Sequence, residues 1–297
     1  MKTLRGCGTA IVTPFQDDGG LDIPALRSLV EWQIEEGIDS LVACGSTGEA
    51  QTLSPDERET VVATVVEVAA GRVPIMAGAT DNDTSRAADE TRRMCALGVD
   101  FILSAGPYYN KPTQEGLFRH FSAVADAATV PVCLYNVPGR SAVNILPETV
   151  LRLAAHANIC GIKEASGSVE QAMHIIQGRP DDFWVLSGED ALAVALIVVG
   201  ADGLVSVASN EVPALMQWMV GSALDGNFGE STHLLYRLLP LLEANFVETN
   251  PAPVKAALAA MGRIHNVLRL PLVAMTEARL PALLDALRRA GVELPNR

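Results

Sequence analysis

Basic residues are scarce in this sequence. Of 297 residues, 22 are Lys or Arg against 35 Asp or Glu, giving a net charge of −13, and no basic run interrupts the acidic background. That composition argues against a nucleic acid or an anionic membrane as the partner, since both are met by concentrated cationic patches. Any anionic substrate must instead be met by individual cations. Cysteine is sparse as well: Cys7, Cys44, Cys95, Cys133 and Cys160 are odd in number, widely spaced and mostly inside apolar runs. This fits free thiols packed as small hydrophobes in a reducing compartment. No C-x-x-C pair is present, and His120, His156, His174, His233 and His265 lack the i,i+4 pairing of a helical metal site; a zinc site is not expected and the histidines read as surface or satisfied helix residues. No apolar run approaches the ~20 residues of a membrane span, and residues 1–7 lack the apolar stretch of a signal peptide. A cytoplasmic protein is expected.

The chain is 49% hydrophobic, sufficient for a large core arranged as one α/β barrel or as two smaller domains. Short β-rich runs alternate with stretches of helical period at intervals of roughly 20–35 residues, the scale of one βα unit. The expected strands are 8–13, 40–43, 74–79, 100–104, 131–136, 159–163, 184–187 and 203–207. Helix starts between them are marked by Ser54-Pro55-Asp56-Glu57, Thr113-Gln114-Glu115 and Ser168-Val169-Glu170, and glycines 71, 98 and 200 mark helix ends. Eight units in a row fit a closed (β/α)8 TIM barrel better than an open doubly wound sheet. No G-x-G-x-x-G follows the first strand, so no dinucleotide site is read. After Val207 the pattern turns helical, over 213–225, 227–246, 251–268 and 278–290. The barrel is assigned to 1–224 and an all-helical extension to 225–297, packed on the barrel because no Pro/Ser linker separates them. Leu234, Leu235, Leu238, Leu241 and Leu242 form an apolar stripe suited to core or subunit contact.

One residue is out of place in this pattern. Lys163 ends the apolar run 158–162, and burial of a lysine disfavours its ammonium form and frees the amine to attack a carbonyl, as in a Schiff base. A strand-end lysine can also reach into water or pair with a neighbour such as Glu164 or Glu189. Its company favours chemistry. In a closed barrel the site lies at the carboxyl ends of the strands, and there stand Gly45-Ser46-Thr47-Gly48-Glu49, Gly106-Pro107-Tyr108-Tyr109-Asn110-Lys111-Pro112 and Tyr135-Asn136-Val137-Pro138-Gly139-Arg140. The first is a glycine turn exposing N–H groups and two hydroxyls, able to hold a carboxylate or simply to connect strand and helix. Strands five and six are sequential, which places the Tyr135 hydroxyl within hydrogen-bond reach of the Lys163 amine. Arg140 offers a planar fork for a second carboxylate, and a surface loop arginine would look the same.

These motifs, with Ser187-Gly188-Glu189-Asp190 and Asn250-Pro251-Ala252-Pro253-Val254-Lys255, occur in one order along nearly the whole chain. The sequence resembles the dihydrodipicolinate synthase family, one of the class I pyruvate aldolases that include N-acetylneuraminate lyase. The resemblance implies condensation of pyruvate with aspartate 4-semialdehyde on the route to diaminopimelate and lysine, with no organic cofactor or metal. It implies that Lys163 forms an imine with pyruvate and that Tyr135 moves protons, joined by the Ser46 hydroxyl and by Tyr109 from a neighbouring subunit of a dimer or a tetramer of two dimers. Thr47 and the N–H groups of Ser46 and Thr47 would hold the pyruvate carboxylate, Arg140 the semialdehyde carboxylate, with Gly188 and Val205 lining the pocket. Serine at position 46 departs from the threonine of many synthases, though either hydroxyl relays a proton. In lysine-inhibited members the effector meets a glutamate where this chain has Arg86, beside Ala50, Pro55 and Arg58; Asn82 and Tyr108 match that site, and weak or absent lysine feedback is expected. A sialic-acid lyase or sugar-acid dehydratase would share Lys163 and Tyr135, and Arg140 discriminates. A catalytically dead scaffold would have no need of Lys163, Tyr135 and Thr47 together.

Overall fold

The computed structural model describes residues 2–295. Eight parallel strands close in sequence order: β1 (Gly6–Ala10), β2 (Ser40–Ala43), β3 (Ile75–Gly78), β4 (Phe101–Ala105), β5 (Val132–Asn136), β6 (Ile159–Glu164), β7 (Trp184–Ser187) and β8 (Gly203–Ser206). The expected (β/α)8 barrel is the observed one. β1 begins two residues before the expected start and ends three before the expected end. The register runs Gly6 against Gly203, and a Cβ on Gly203 would stand 2.1 Å from the Gly6 carbonyl oxygen, so glycine at this seam lets the barrel close. At the other end, the Val12 N–H donates to Asn210 Oδ1 at 3.1 Å instead of to a strand. β2 and β7 match expectation at both ends, and the remaining strand ends lie within one residue of it.

The helices around the barrel are α1 (Ile23–Glu35), α2 (Pro55–Ala69), α3 (Thr84–Cys95), α4 (Gln114–Ala127), α5 (Pro138–Ser141), α6 (Pro147–Ala154), α7 (Val169–Gly178), α8 (Ala193–Val198) and α9 (Pro213–Leu224). Local chemistry starts them as read: Ser54 accepts from Glu57 N while Glu57 accepts from Ser54 N, a capping box, and Thr113 and Ser168 cap α4 and α7. Beyond α9 lie α10 (Phe228–Ala244), α11 (Ala252–Ala260) and α12 (Leu280–Ala290). The helix expected over 251–268 stops at Ala260 because Gly262 takes a φ of 74° and turns the chain away. Leu234, Leu238, Leu241 and Leu242 are buried, so the stripe on α10 is core. Among the described residues, no helix is long and apolar enough to cross a membrane.

Inside the barrel, Ala10, Val42, Met76, Leu103, Tyr135 and Val205 share one apolar cluster, while a larger one fills the layer between strands and helices. Lys163 pairs in register with Tyr135 on one side and Leu186 on the other. Side chains at paired positions share a face, so the lysine joins Tyr135 and Leu186 on the inward face. The five cysteines are free, three of them buried. His120 departs from the surface reading: it is buried on α4, with Nδ1 2.9 Å from Thr84 Oγ1 and, among the described residues, no partner for Nε2.

Candidate active site

Two adjoining cavities of about 310 and 810 Å3 open at the carboxyl ends of the strands. Ser46, Tyr135, Val137, Arg140, Lys163 and Asn250 line both. The sequence-predicted nucleophile, hydroxyls and cation therefore meet in one place.

Lys163 is 5% exposed, and among the described residues its Nζ has no hydrogen bond or ion pair. The neighbouring carboxylate does not pair with it. Glu164 instead accepts from Ser166 N at 2.7 Å, Asn136 Nδ2 at 3.0 Å and Gln171 Nε2 at 3.1 Å. The Lys163 amine lies 4.3 Å from the centroid of the Tyr135 ring. It rests over the ring face and not on the hydroxyl, because paired residues on adjacent strands run side by side. The Cys133 thiol two residues before Tyr135 is pushed up to about 12 by burial, so it stays protonated and does not compete as a nucleophile.

Gly188 follows β7 and gives this lysine its room. A Cβ there would lie 2.6 Å from Ala165 Cβ and 3.0 Å from Lys163 Cε. Two residues on, Asp190 is buried, with Oδ2 accepting from Val207 N at 3.1 Å and Ala208 N at 3.2 Å. Among the described residues, its Oδ1 has no hydrogen-bond partner. Burial raises the Asp190 and Glu189 carboxyls above the ordinary carboxylate range, and for Glu189 the charges of Glu164 and Asp190 add to this.

The turn after β2 presents donors. Gly48 N and Glu49 N close it onto the carbonyls of Gly45 and Ser46 at 3.1 and 3.2 Å. Among the described residues, the N–H groups of Ser46 and Thr47 have no acceptor, which leaves two adjacent donors beside the cavity. Thr47 is buried and its Oγ1 accepts from Asn250 Nδ2 at 2.9 Å. Its own hydroxyl proton is thus free for a ligand. Glycine at 48 suits a close approach: a Cβ would lie 3.2 Å from the Ile11 carbonyl and 3.3 Å from Thr13 Oγ1.

Arg140 sits on α5, a single turn begun by Pro138, and donates to the Asn250 carbonyl at 3.1 Å. It lines both cavities and is exposed. Two predicted residues lie elsewhere. Val205 is buried in the barrel interior cluster and lines neither cavity. Tyr109 is 87% exposed with a φ of 72° and lines neither cavity, while Asn110 Nδ2 anchors the loop to the Asn82 carbonyl at 2.7 Å. Asn250 and Asp190 carried no role in the sequence reading although both stood in its motifs. Asn250 grips Thr47 and Arg140 at once, a long-range contact that no local pattern signals.

The chain matches the model of the dihydrodipicolinate synthetase family over residues 3–290. It is 54% identical over 290 residues to the 4-hydroxy-tetrahydrodipicolinate synthase of Koribacter versatilis, covering 97% of each chain. The chloride-inhibited dihydrodipicolinate synthase of Acinetobacter baumannii, solved with pyruvate, superimposes with a TM-score of 0.96 at 43% identity, covering 98% of this chain and 100% of the other. A monomeric dihydrodipicolinate synthase variant superimposes with a TM-score of 0.95 at 42% identity, covering 97% of each.

Proposed function

This chain belongs to the dihydrodipicolinate synthetase family, and we propose that it condenses pyruvate with L-aspartate 4-semialdehyde to 4-hydroxy-tetrahydrodipicolinate through a Schiff base on Lys163. The observation that carries this reading is a buried, unpaired lysine facing Tyr135 at the mouth of a closed barrel. The Lys163 amine adds to the pyruvate ketone, and loss of water leaves a protonated imine. That cation is an electron sink, so a methyl proton departs to give the enamine. The enamine carbon attacks the semialdehyde carbonyl, the new alkoxide takes a proton, and the semialdehyde amine displaces Lys163 as the ring closes. Tyr135 and Ser46 move protons through these steps. The free N–H groups of Ser46 and Thr47, with the Thr47 hydroxyl, hold the pyruvate carboxylate, and Arg140 takes the second carboxylate. Gly188 makes room for the lysine and Val205 packs below the pocket.

Tyr109 completes the site of a second copy in a tetramer of two dimers. Its exposure and left-handed backbone support this, since a large aromatic held out from the surface is suited to insertion into a partner. Residues 225–295 act as an extension that braces the catalytic end of the barrel, a reading supported by hydrogen bonds from Asn250, Lys255 and Arg269 to Thr47, Glu49 and Glu57. Free thiols suit a cytoplasmic location. The test is a coupled assay in which a dihydrodipicolinate reductase consumes the product and reduced nicotinamide absorbance falls. Turnover with pyruvate and the semialdehyde is expected, together with a borohydride-trapped pyruvate adduct on Lys163; protein that forms no adduct would overturn the reading.

A further inference from the structure

Behind the Ser46-Thr47 turn lies an ion pair with no exposed side-chain surface. Lys255 Nζ donates to Glu49 Oε1 at 2.5 Å and to the Val267 carbonyl at 2.9 Å, and lies 4.2 Å from the Phe15 ring centroid. The other Glu49 oxygen accepts from Arg269 N at 3.0 Å. Arg269 in turn grips Glu57 with two bonds of 2.6 and 2.8 Å and donates to the carbonyls of Gly19 and Thr52. Four segments far apart in sequence are tied together here.

Glu49 also closes the turn. Its N–H bonds the Ser46 carbonyl at 3.2 Å, and its φ is 52°. A glutamate keeps that left-handed conformation only where its surroundings over-determine it. The surroundings are Lys255 and the Arg269 N–H.

We propose that Glu49 and Lys255 are positioning residues for the 2-oxo acid: the pair fixes the turn that leaves the Ser46 and Thr47 N–H groups free, so that α11 sets affinity for the substrate carboxylate. This rests on the reading above that those groups bind pyruvate. Neither side chain touches the reacting atoms, and the effect is confined to one substrate. Loss of Lys255 leaves a buried carboxylate unpaired, which the turn relieves by moving.

The experiment measures borohydride trapping at Lys163 against pyruvate concentration, with steady-state constants for both substrates, in wild type, Lys255→Met, Glu49→Gln and the double variant. For Lys255→Met the pyruvate half-saturation rises about tenfold or more, while kcat stays within about threefold and the semialdehyde KM within about twofold. The double variant recovers most of the loss, because removing both charges leaves no unpaired ion. A purely structural pair would lower the melting temperature and the active fraction with pyruvate half-saturation unchanged, and that result overturns the proposal. If Lys255→Met does not fold, Glu49→Gln decides, since it keeps an acceptor for Arg269 N: a rise of about threefold supports the proposal and no rise refutes it. Wild-type protein that traps no pyruvate overturns the proposed function and this inference with it; trapping with unchanged half-saturation in the variants overturns this inference alone.

Discussion

Replacing Gly188 with alanine tests how closely Lys163 is held. The added methyl carbon would meet Ala165 Cβ at 2.6 Å, Lys163 Cε at 3.0 Å and Lys163 Cγ at 3.2 Å. Non-bonded carbons settle about 3.5–4.0 Å apart, so relief requires movements of roughly 1 Å shared between Ala165 and the lysine chain. Overpacking of this kind costs about 1–3 kcal/mol of stability. A misplacement of about 1 Å at a reacting group lowers the rate on the order of a hundredfold, or about 3 kcal/mol of barrier. The assay is the rate of imine formation, quenched with borohydride at timed intervals and read as adduct mass, alongside a denaturant melt. Adding Ala165→Gly separates the two costs. It removes the 2.6 Å contact and should restore stability, yet it leaves both Lys163 contacts, so imine formation should stay slow. Imine formation by Gly188→Ala within about twofold of wild type would refute the claim that Gly188 sets the position of Lys163.

Tyr135→Phe keeps the ring against which the Lys163 amine lies and removes the hydroxyl, so kcat should fall about 10²–10³-fold with little change in melting temperature. An unchanged kcat would remove Tyr135 from the proton path. Arg140→Ala should raise the semialdehyde KM by about tenfold or more while pyruvate trapping at Lys163 is unaffected; an unchanged semialdehyde KM would argue for a different aldehyde. His120 is held down to about 4 by burial, against an ordinary value near 6.5. The unfolded chain therefore binds the extra proton first, so stability from this group is complete above about pH 6.5 and is lost as the pH falls toward 4, by about 3 kcal/mol. His120→Asn should flatten that part of the stability curve measured by urea melts, and an unaltered slope would show that another group controls it. Arg86 pairs with Asp81 at 3.2 Å, and Arg58 holds the Ala50 carbonyl at 3.0 Å. A guanidinium at position 86 repels an ammonium brought beside it, so L-lysine titrated into the coupled assay should leave activity unchanged at sub-millimolar concentration.

The eight-fold alternation was legible because each parallel strand, buried on both faces, reads as a continuous apolar run bounded by caps and glycines. At two of the places where it misled, a glycine was responsible. Gly6-Cys7-Gly8 looks like a turn by propensity, yet the glycines make room for neighbours on the β2 side: a Cβ on Gly6 would meet Asp39 Oδ2, and one on Gly8 Ser40 Oγ, each at 2.3 Å. Gly262, inside an otherwise helical stretch, proved to be a helix end. Contacts across the fold were out of reach for a different reason. Asn250 and Thr47 are 203 residues apart, and neither carries a local signal of the other.

The two buried lysines sharpen that distinction. Lys163 and Lys255 each interrupt an apolar stretch, and the argument that singles out the first applies with equal force to the second, which is the more deeply buried. What separates them is the partner. Lys255 meets Glu49 from 206 residues away, and although burial pulls it down to about 8, the carboxylate opposes that fall and keeps the amine occupied as a charged donor. Among the described residues Lys163 has no such anion in contact, and the carboxylate next to it in sequence, Glu164, is consumed by Asn136, Gln171 and Ser166 N–H. A buried lysine is therefore a nucleophile only when the fold withholds a counterion and supplies an opening, two conditions that long-range packing decides. That is why the strand-end position of Lys163, under a barrel mouth, was informative, whereas Lys255 on α11 required the structure to be read as a support.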